Sequence, residues 1–259
     1  MLFDDIKLIL KDLDPKNVRV VDISYLLIYL YLLDKNIQKI KVKPILLLFL
    51  PILLKSSHFT GDFLSGIYHY VMDTYDLKGL EILHTHFRKH HQDVLSMEKF
   101  PISQTLTEIM PIGFIPLMCN LFISDLANET NNDLIMLANT QSILSNIIMC
   151  STQVAHRLAH RRNHEYTKDG KKQFYIPDFI KWLQDNEIIL SNNHHKLHHK
   201  TEVMNYCISN GSSSSFFDKI IDIFDLPVST YSNSNNIHTR VPRNLKQKII
   251  KSCENNVIN

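Results

Sequence analysis

The chain has 259 residues, 44% of them hydrophobic and 21% charged, with 28 basic against 26 acidic side chains. That near-balance removes the basic footprint of a nucleic-acid binder, and six glycines and nine prolines exclude a collagen-like or linker composition. Four cysteines without a CxxC pair exclude a thiolate zinc site and a disulfide framework.

In chain order, residues 1–19 read as a polar N-terminal segment. Asp4, Asp5 and Asp12 stand where a signal peptide would need a basic start and an apolar run. Four runs free of charge follow: Ile23–Leu33, Pro44–Leu54 (broken by Lys55 and resumed over 59–70), Ile109–Ile123 and Leu134–Ala155. None alone is a continuous apolar stretch long enough to settle a span, but four in one chain predict an integral membrane protein. Strand-length alternation of valine and isoleucine is missing, so the expected fold is all-α and multi-span, with a His-rich helical cap. Arg88, Lys89, Arg157, Arg161, Arg162, Lys171, Lys172 and Lys200 lie in or near the His-rich stretches and place the cap in the cytoplasm by the positive-inside rule. Four lysines in 34–43 pull the other way. One unit is expected over 20–227, and the polar stretch 228–259 reads as a disordered tail.

Histidine is the residue in surplus. Twelve of fourteen fall in four stretches, and the other two, His58 and His238, read as ordinary. The first stretch pairs His69 with Asp73. The second, HTHFRKHH, holds His84, His86, His90 and His91. The third steps by four through His156, His160 and His164. The fourth, NHHKLHHK, interleaves His194/His198 with His195/His199. Residues at i and i+4 share one face of a helix, so such pairs can offer two imidazole nitrogens to one ion without bending the backbone. Four imidazoles within six residues otherwise repel when protonated and waste a helix face that leucine could fill. The count exceeds the four to six positions of a single ion, so two metals are expected, held mainly by imidazole.

Several motifs occur together in order: DFLSG (residues 62–66), HYVMDT (69–74), FRKHHQD (87–93), QVAHRLAH (153–160), LQD (183–185), HHKLHH (194–199) and NYCISNG (205–211). Over residues 44–227 this arrangement resembles the Kua/CarF plasmanylethanolamine desaturases, to which a plant plastid desaturase of phosphatidylglycerol is related. Tyr70 and Tyr75 stand where that family usually has tryptophan, and Arg157–Leu158–Ala159 replaces a Lys-Trp-Ser core. The resemblance implies an O2-dependent desaturase of an alkyl or acyl chain of a phospholipid, with two irons and electrons from a cytochrome-b-type donor protein. The substrate it implies is plasmanylethanolamine, converted to plasmenylethanolamine, and the location an endoplasmic-reticulum-like membrane. It implies His69, His90, His91, His156, His160, His194, His195, His198 and His199 as ligands, and Asp73 as ligand or imidazole-orienting partner. His84, His86 and His164 have no counterpart in the pattern and read as non-ligands. Two rival readings are lipid hydroxylation on the same scaffold and a non-catalytic membrane metal binder.

Overall fold

A computed structural model describes residues 19–75, 78–79, 81–167, 169–171, 173–228, 241 and 243–255. Among them are ten α-helices and one 3-10 turn, with no β-strand. The helices are α1 (Val20–Lys39), α2 (Pro44–Thr74), α3 (Glu81–Gln92), α4 (Ile102–Thr107), α5 (Met110–Glu129), α6 (Asp133–Asn163), α7 (Asp178–Asp185), α8 (Asn192–Thr201), α9 (Ser214–Ile223) and α10 (Arg243–Asn255). The 3-10 turn spans Ser96–Lys99.

Three helices, α2, α5 and α6, are long and apolar enough to cross a membrane. The outward faces of α2 and α5 keep Leu47, Leu48, Ile52, Ile115 and Phe122 exposed, an apolar belt that lipid rather than water would cover. Of the four expected runs, Ile23–Leu33 does form a helix. Yet α1 also carries Asp22, Asp34, Lys35 and Lys39, and it is not among the three.

The bundle is joined by close backbone approach and by buried polar pairs rather than by apolar side chains alone. α2 runs along α6, and a Cβ on Gly61 would fall 2.8 Å from the Ser145 carbonyl, so only glycine lets the two come this close. Tyr29 donates to Asn146 Oδ1 at 2.9 Å, and Asn146 Nδ2 donates to the Gly113 carbonyl at 3.0 Å, tying α1, α6 and α5 together. At one end of the bundle the side chain of Asn132 caps α6 by accepting from the backbone N–H groups of Leu134 and Ile135. There Lys39 pairs with Asp125 and Lys43 with Asp133, each at 2.6 Å. Two of the four lysines that confuse the charge rule therefore carry their own counter-ions.

At 31 residues each, α2 and α6 are about 46 Å long, well beyond the ~30 Å of a hydrocarbon core. The surplus length projects from one end of the bundle. α3, α4 and α8 gather around it, Arg162 at the end of α6 donates to Asp185 of α7 at 2.9 Å, and α9 packs on α2. Glu98 of the 3-10 turn grips α6 there: both oxygens of its carboxylate accept from Arg157 (3.2 and 3.0 Å) and from Arg161 (2.9 and 2.7 Å). Arg157 also donates to Thr105 of α4 at 2.9 Å.

The tail departs from expectation over its last part. Residues 243–255 are helical, with Ile249 and Ile250 packed against the cluster of Tyr206, Phe217 and Ile221. Cys253 is buried and Lys246 binds Asp222 at 2.7 Å. A short apolar stripe in a polar segment is easily passed over in sequence. Residues 229–240 lie outside the described part.

The Glu98 contact yields a stability test. Glu98→Ala strips two buried guanidinium groups of their carboxylate and should destabilise the protein by about 3–5 kcal/mol, read as a fall in Tm in detergent. Lys99→Ala at the neighbouring exposed pair with Asp93 should change Tm little.

Candidate metal centre

The projecting end of α2 presents His69 and Asp73, four residues apart and so on one face. The same spacing puts His156 and His160 together at the end of α6. α3 brings the adjacent pair His90 and His91. α8, started by Ser191 accepting from the His194 backbone N–H at 3.2 Å, brings His195, His198 and His199. These nine side chains meet in one dry space. His69, His90, His156, His195 and His198 are essentially inaccessible.

They sort into two groups that could each hold a metal ion: His90, His156, His160, His195 and His199, and next to them His69, Asp73, His91 and His198. Within each, the ligand atoms lie within 4.8 Å of one another. In the first group Nε2 of His160 stands 3.2 Å from Nε2 of His156 and 2.9 Å from that of His195. Nε2 of His195 is also 2.9 Å from that of His199. Nε2 of His90 is buried without a hydrogen-bond partner. In the second group, Nε2 of His69 and of His91 each lie 3.2 Å from Asp73 Oδ2, and Nε2 of His198 lies 3.6 Å away. The groups adjoin: the rings of His90 and His91 are 4.4 Å apart.

The electrostatics suit a metal. His90, His195 and His199 are held well below the usual imidazole pKa, first by burial and then by one another, and burial and His69 also lower His198. They are therefore neutral at neutral pH, the form in which imidazole can bind a metal. A carbonyl can only accept, so the contacts of His69 Nδ1 to the Tyr206 carbonyl (3.0 Å) and of His198 Nδ1 to the Met204 carbonyl (2.6 Å) fix the proton on Nδ1 of both rings. Their Nε2 lone pairs are left free toward Asp73. Converging imidazole nitrogens beside one carboxylate are a fitting donor set for divalent first-row metals.

His194 is the exception among the ten sequence-predicted residues. Its Nε2 meets Ser214 Oγ at 3.0 Å, and its ring lies against Gly211, where a Cβ would come within 2.6 Å of it. One turn before His198 on the same face, it points into the neighbouring loop instead of the cluster. His164 follows the end of α6 and stands in neither group. His238 and the side chains of His84 and His86 lie outside the described residues. Tyr70 packs in a core with Val203, Tyr206 and Phe217, and its hydroxyl donates to the Pro227 carbonyl at 2.5 Å.

Two features escaped the sequence reading. A cavity of about 30 Å³ abuts His90 and His156, walled by Phe87, Phe100, Glu108 and Gln153. Gln153 is fully buried with both amide atoms unpartnered, and burial pushes Glu108 up to about 7. QVAHRLAH marks Gln153 only by its place one turn before His156, and nothing in the sequence marks Glu108. The second feature is a groove of about 310 Å³ between α2, α5 and α6, lined by Thr60, Leu64, Pro116, Ala138 and Met149.

Acid should loosen this centre in a defined direction. In the folded chain His90, His195 and His199 stay neutral, while in the unfolded chain they take up protons below about pH 6.5. Their contribution to stability is complete above pH 6.5 and lost progressively as the pH falls below it. Thermal unfolding of metal-free protein should show a constant Tm from pH 8 to 7 and a decline below 6.5. A flat profile down to pH 5 would contradict neutral buried imidazoles.

No solved structure matches the chain. The family model for the lipid desaturase domain matches residues 58–226, a span that takes in every residue of both groups. The chain belongs to that family, the Kua/CarF-type His-box lipid desaturases.

Proposed function

We propose that the chain is an O2-dependent di-iron desaturase that introduces a double bond into an alkyl or acyl chain of a phospholipid. The favoured reaction is plasmanylethanolamine to plasmenylethanolamine. The observation that carries this reading is the pair of adjoining ligand groups, nine donors from four helices, within a lipid desaturase domain. The ligands are His90, His156, His160, His195 and His199 for one ion and His69, Asp73, His91 and His198 for the other. Iron held there would supply the oxidising power needed to take hydrogen from an unactivated CH2 group. The overall change balances as –CH2–CH2– plus O2, two electrons and two protons giving –CH=CH– and two waters.

The chain's own residues bind, orient and exclude. Phe87 lies against the rings of His69 and His90, and Tyr206 against His69 and His198, so apolar surface seals the imidazoles from bulk water. The groove reaching Met149 stops two helical turns short of His156, about 10 Å. A hydrocarbon chain lying in it approaches the centre from the membrane. Lys89 and Lys196 on exposed faces of α3 and α8 offer a basic surface for an electron donor of cytochrome-b type. We place the cap on the cytoplasmic side of an endoplasmic-reticulum-like membrane. The His-rich stretches carry the larger of the two basic groups.

Protein purified with its metal should hold close to two irons per chain, and cells with the protein should contain a lipid two hydrogens lighter than its precursor. A gain of one oxygen would make it a hydroxylase. A single zinc that ferrous iron does not replace, with no lipid altered, would overturn the reading. His198→Ala should abolish product formation, while His194→Ala should retain a substantial part of it.

A further inference from the structure

The DFLSG and NYCISNG segments are far apart in sequence and neither supplies a metal ligand, yet they meet. Asp62 is fully buried on α2. Its Oδ1 accepts from the backbone N–H groups of Ser209 (2.9 Å), Asn210 (3.0 Å) and Gly211 (3.1 Å). Its Oδ2 accepts from the N–H (2.9 Å) and hydroxyl (2.7 Å) of Ser213. Successive N–H groups curled around one carboxylate form an anion nest, and here the anion belongs to the protein. Ser65, one turn on, adds a link: its hydroxyl accepts from the Ile208 N–H at 3.1 Å. His194 braces the outer side of the same loop through Ser214.

The loop so gathered starts from backbone that is unfavourable alone, with Glu202 at φ 57° and Asn205 at φ 62°. Those two positions flank Met204, and Tyr206 follows directly. The carbonyls of Met204 and Tyr206 hold the Nδ1 protons of His198 and His69.

We propose that Asp62 is a positioning residue for the group of His69, Asp73, His91 and His198. By gathering the 205–213 loop it sets two carbonyls that orient two imidazoles and aim their Nε2 atoms at one ion. This rests on the two-ion reading above. The carbonyls of Met204 and Tyr206 hold Nδ1 of His198 and His69, both in the group with Asp73, whereas the loop meets the helix bearing His156 and His160 through the packing of Ile208 with Ala155 and Ala159, so the orienting effect of Asp62 falls on one of two adjacent sites. A purely structural residue would not make that distinction.

The test uses the full chain in detergent, stripped of metal and titrated with Co²⁺, reading ions bound per chain and the visible absorption of each. Wild type should bind two. Asp62→Asn keeps the shape but turns donors toward donors, and should retain one ion with the spectrum of the five-imidazole group. Adding His69→Ala to it should cost no further ion, and adding His156→Ala should remove the remaining one. Ser213→Ala, which removes one donor and leaves the fold its best chance, should weaken only the second ion, by about 10-fold or more. Asn139→Ala, which breaks a buried 2.7 Å bond to Ser124 in the bundle, is the control: it should lower Tm yet leave both ions. The proposal is overturned if Asp62→Asn and Ser213→Ala bind two ions with wild-type affinity, or if both lose the two ions in parallel. Wild type that binds fewer than two ions overturns the two-ion reading, and the positioning role with it.

Discussion

Everything at the projecting end of this bundle follows from one constraint: eight imidazoles and a carboxylate must share a space without water. Protonated, the rings would repel one another in a medium that screens little. Neutral, each carries one N–H and one lone pair, and there are too few acceptors inside to use every proton. The fold takes up some of them with the carbonyls of Tyr206 and Met204, and turns the remaining nitrogens inward. A cation at each group would resolve what is left, because it would satisfy several lone pairs at once. The surroundings make sense only in that light. Phe87 and Tyr206 cover the rings, and the Glu98–Arg157–Arg161 clamp holds the adjoining turn of α6 rigidly in place.

The sequence displayed the side chains that cluster well and their environment poorly. His156/His160, His195/His199 and His69/Asp73 are legible because four-residue spacing is a geometric statement about a helix. The division into two groups was not, since it depends on the angle at which α3 and α8 cross the others. The HHKLHH stretch offered four equivalent histidines. Only the three-dimensional position of Gly211 and Ser214 shows that His194 serves the loop. Motif recognition flagged DFLSG and NYCISNG without saying why. The reason is a set of hydrogen bonds between segments almost 150 residues apart, a relation no local pattern encodes. The polar seams of the bundle, Tyr29–Asn146–Gly113 above all, were equally silent. Each member is unremarkable in sequence and informative only once paired.

Apolar patterning was more forthcoming about the membrane than about which helices cross it. α2, α5 and α6 were visible as long uncharged runs. The Ile23–Leu33 run is equally apolar but too short on its own, and the helix built on it extends into charged residues at both ends. Asp22 is nevertheless buried, held by Arg19 and by the hydroxyl of Thr107. α1 therefore reaches the same end of the bundle as α4 and packs beside the cap as well as beside α5.

The four ligand-bearing helices divide their work unequally. α2 supplies donors only to the group with Asp73, and α6 only to the group of five imidazoles. α3 and α8, by contrast, each give to both: His90 and His91 part between the groups, as do His195 and His199 from His198. The long helices thus set the separation of the two groups, and the short ones couple them. Since α2 and α6 touch at Gly61 and Ser145, about 12 Å along α2 from His69, their spacing is set by backbone packing outside the two groups. The short helices are held only by their caps, loops and neighbours. The second group is the more dependent of the two, since two of its imidazoles are oriented by the 204–206 backbone. Both ligand groups thus rest on one frame, but the one with Asp73 also rests on a loop, and the loop is gathered by Asp62.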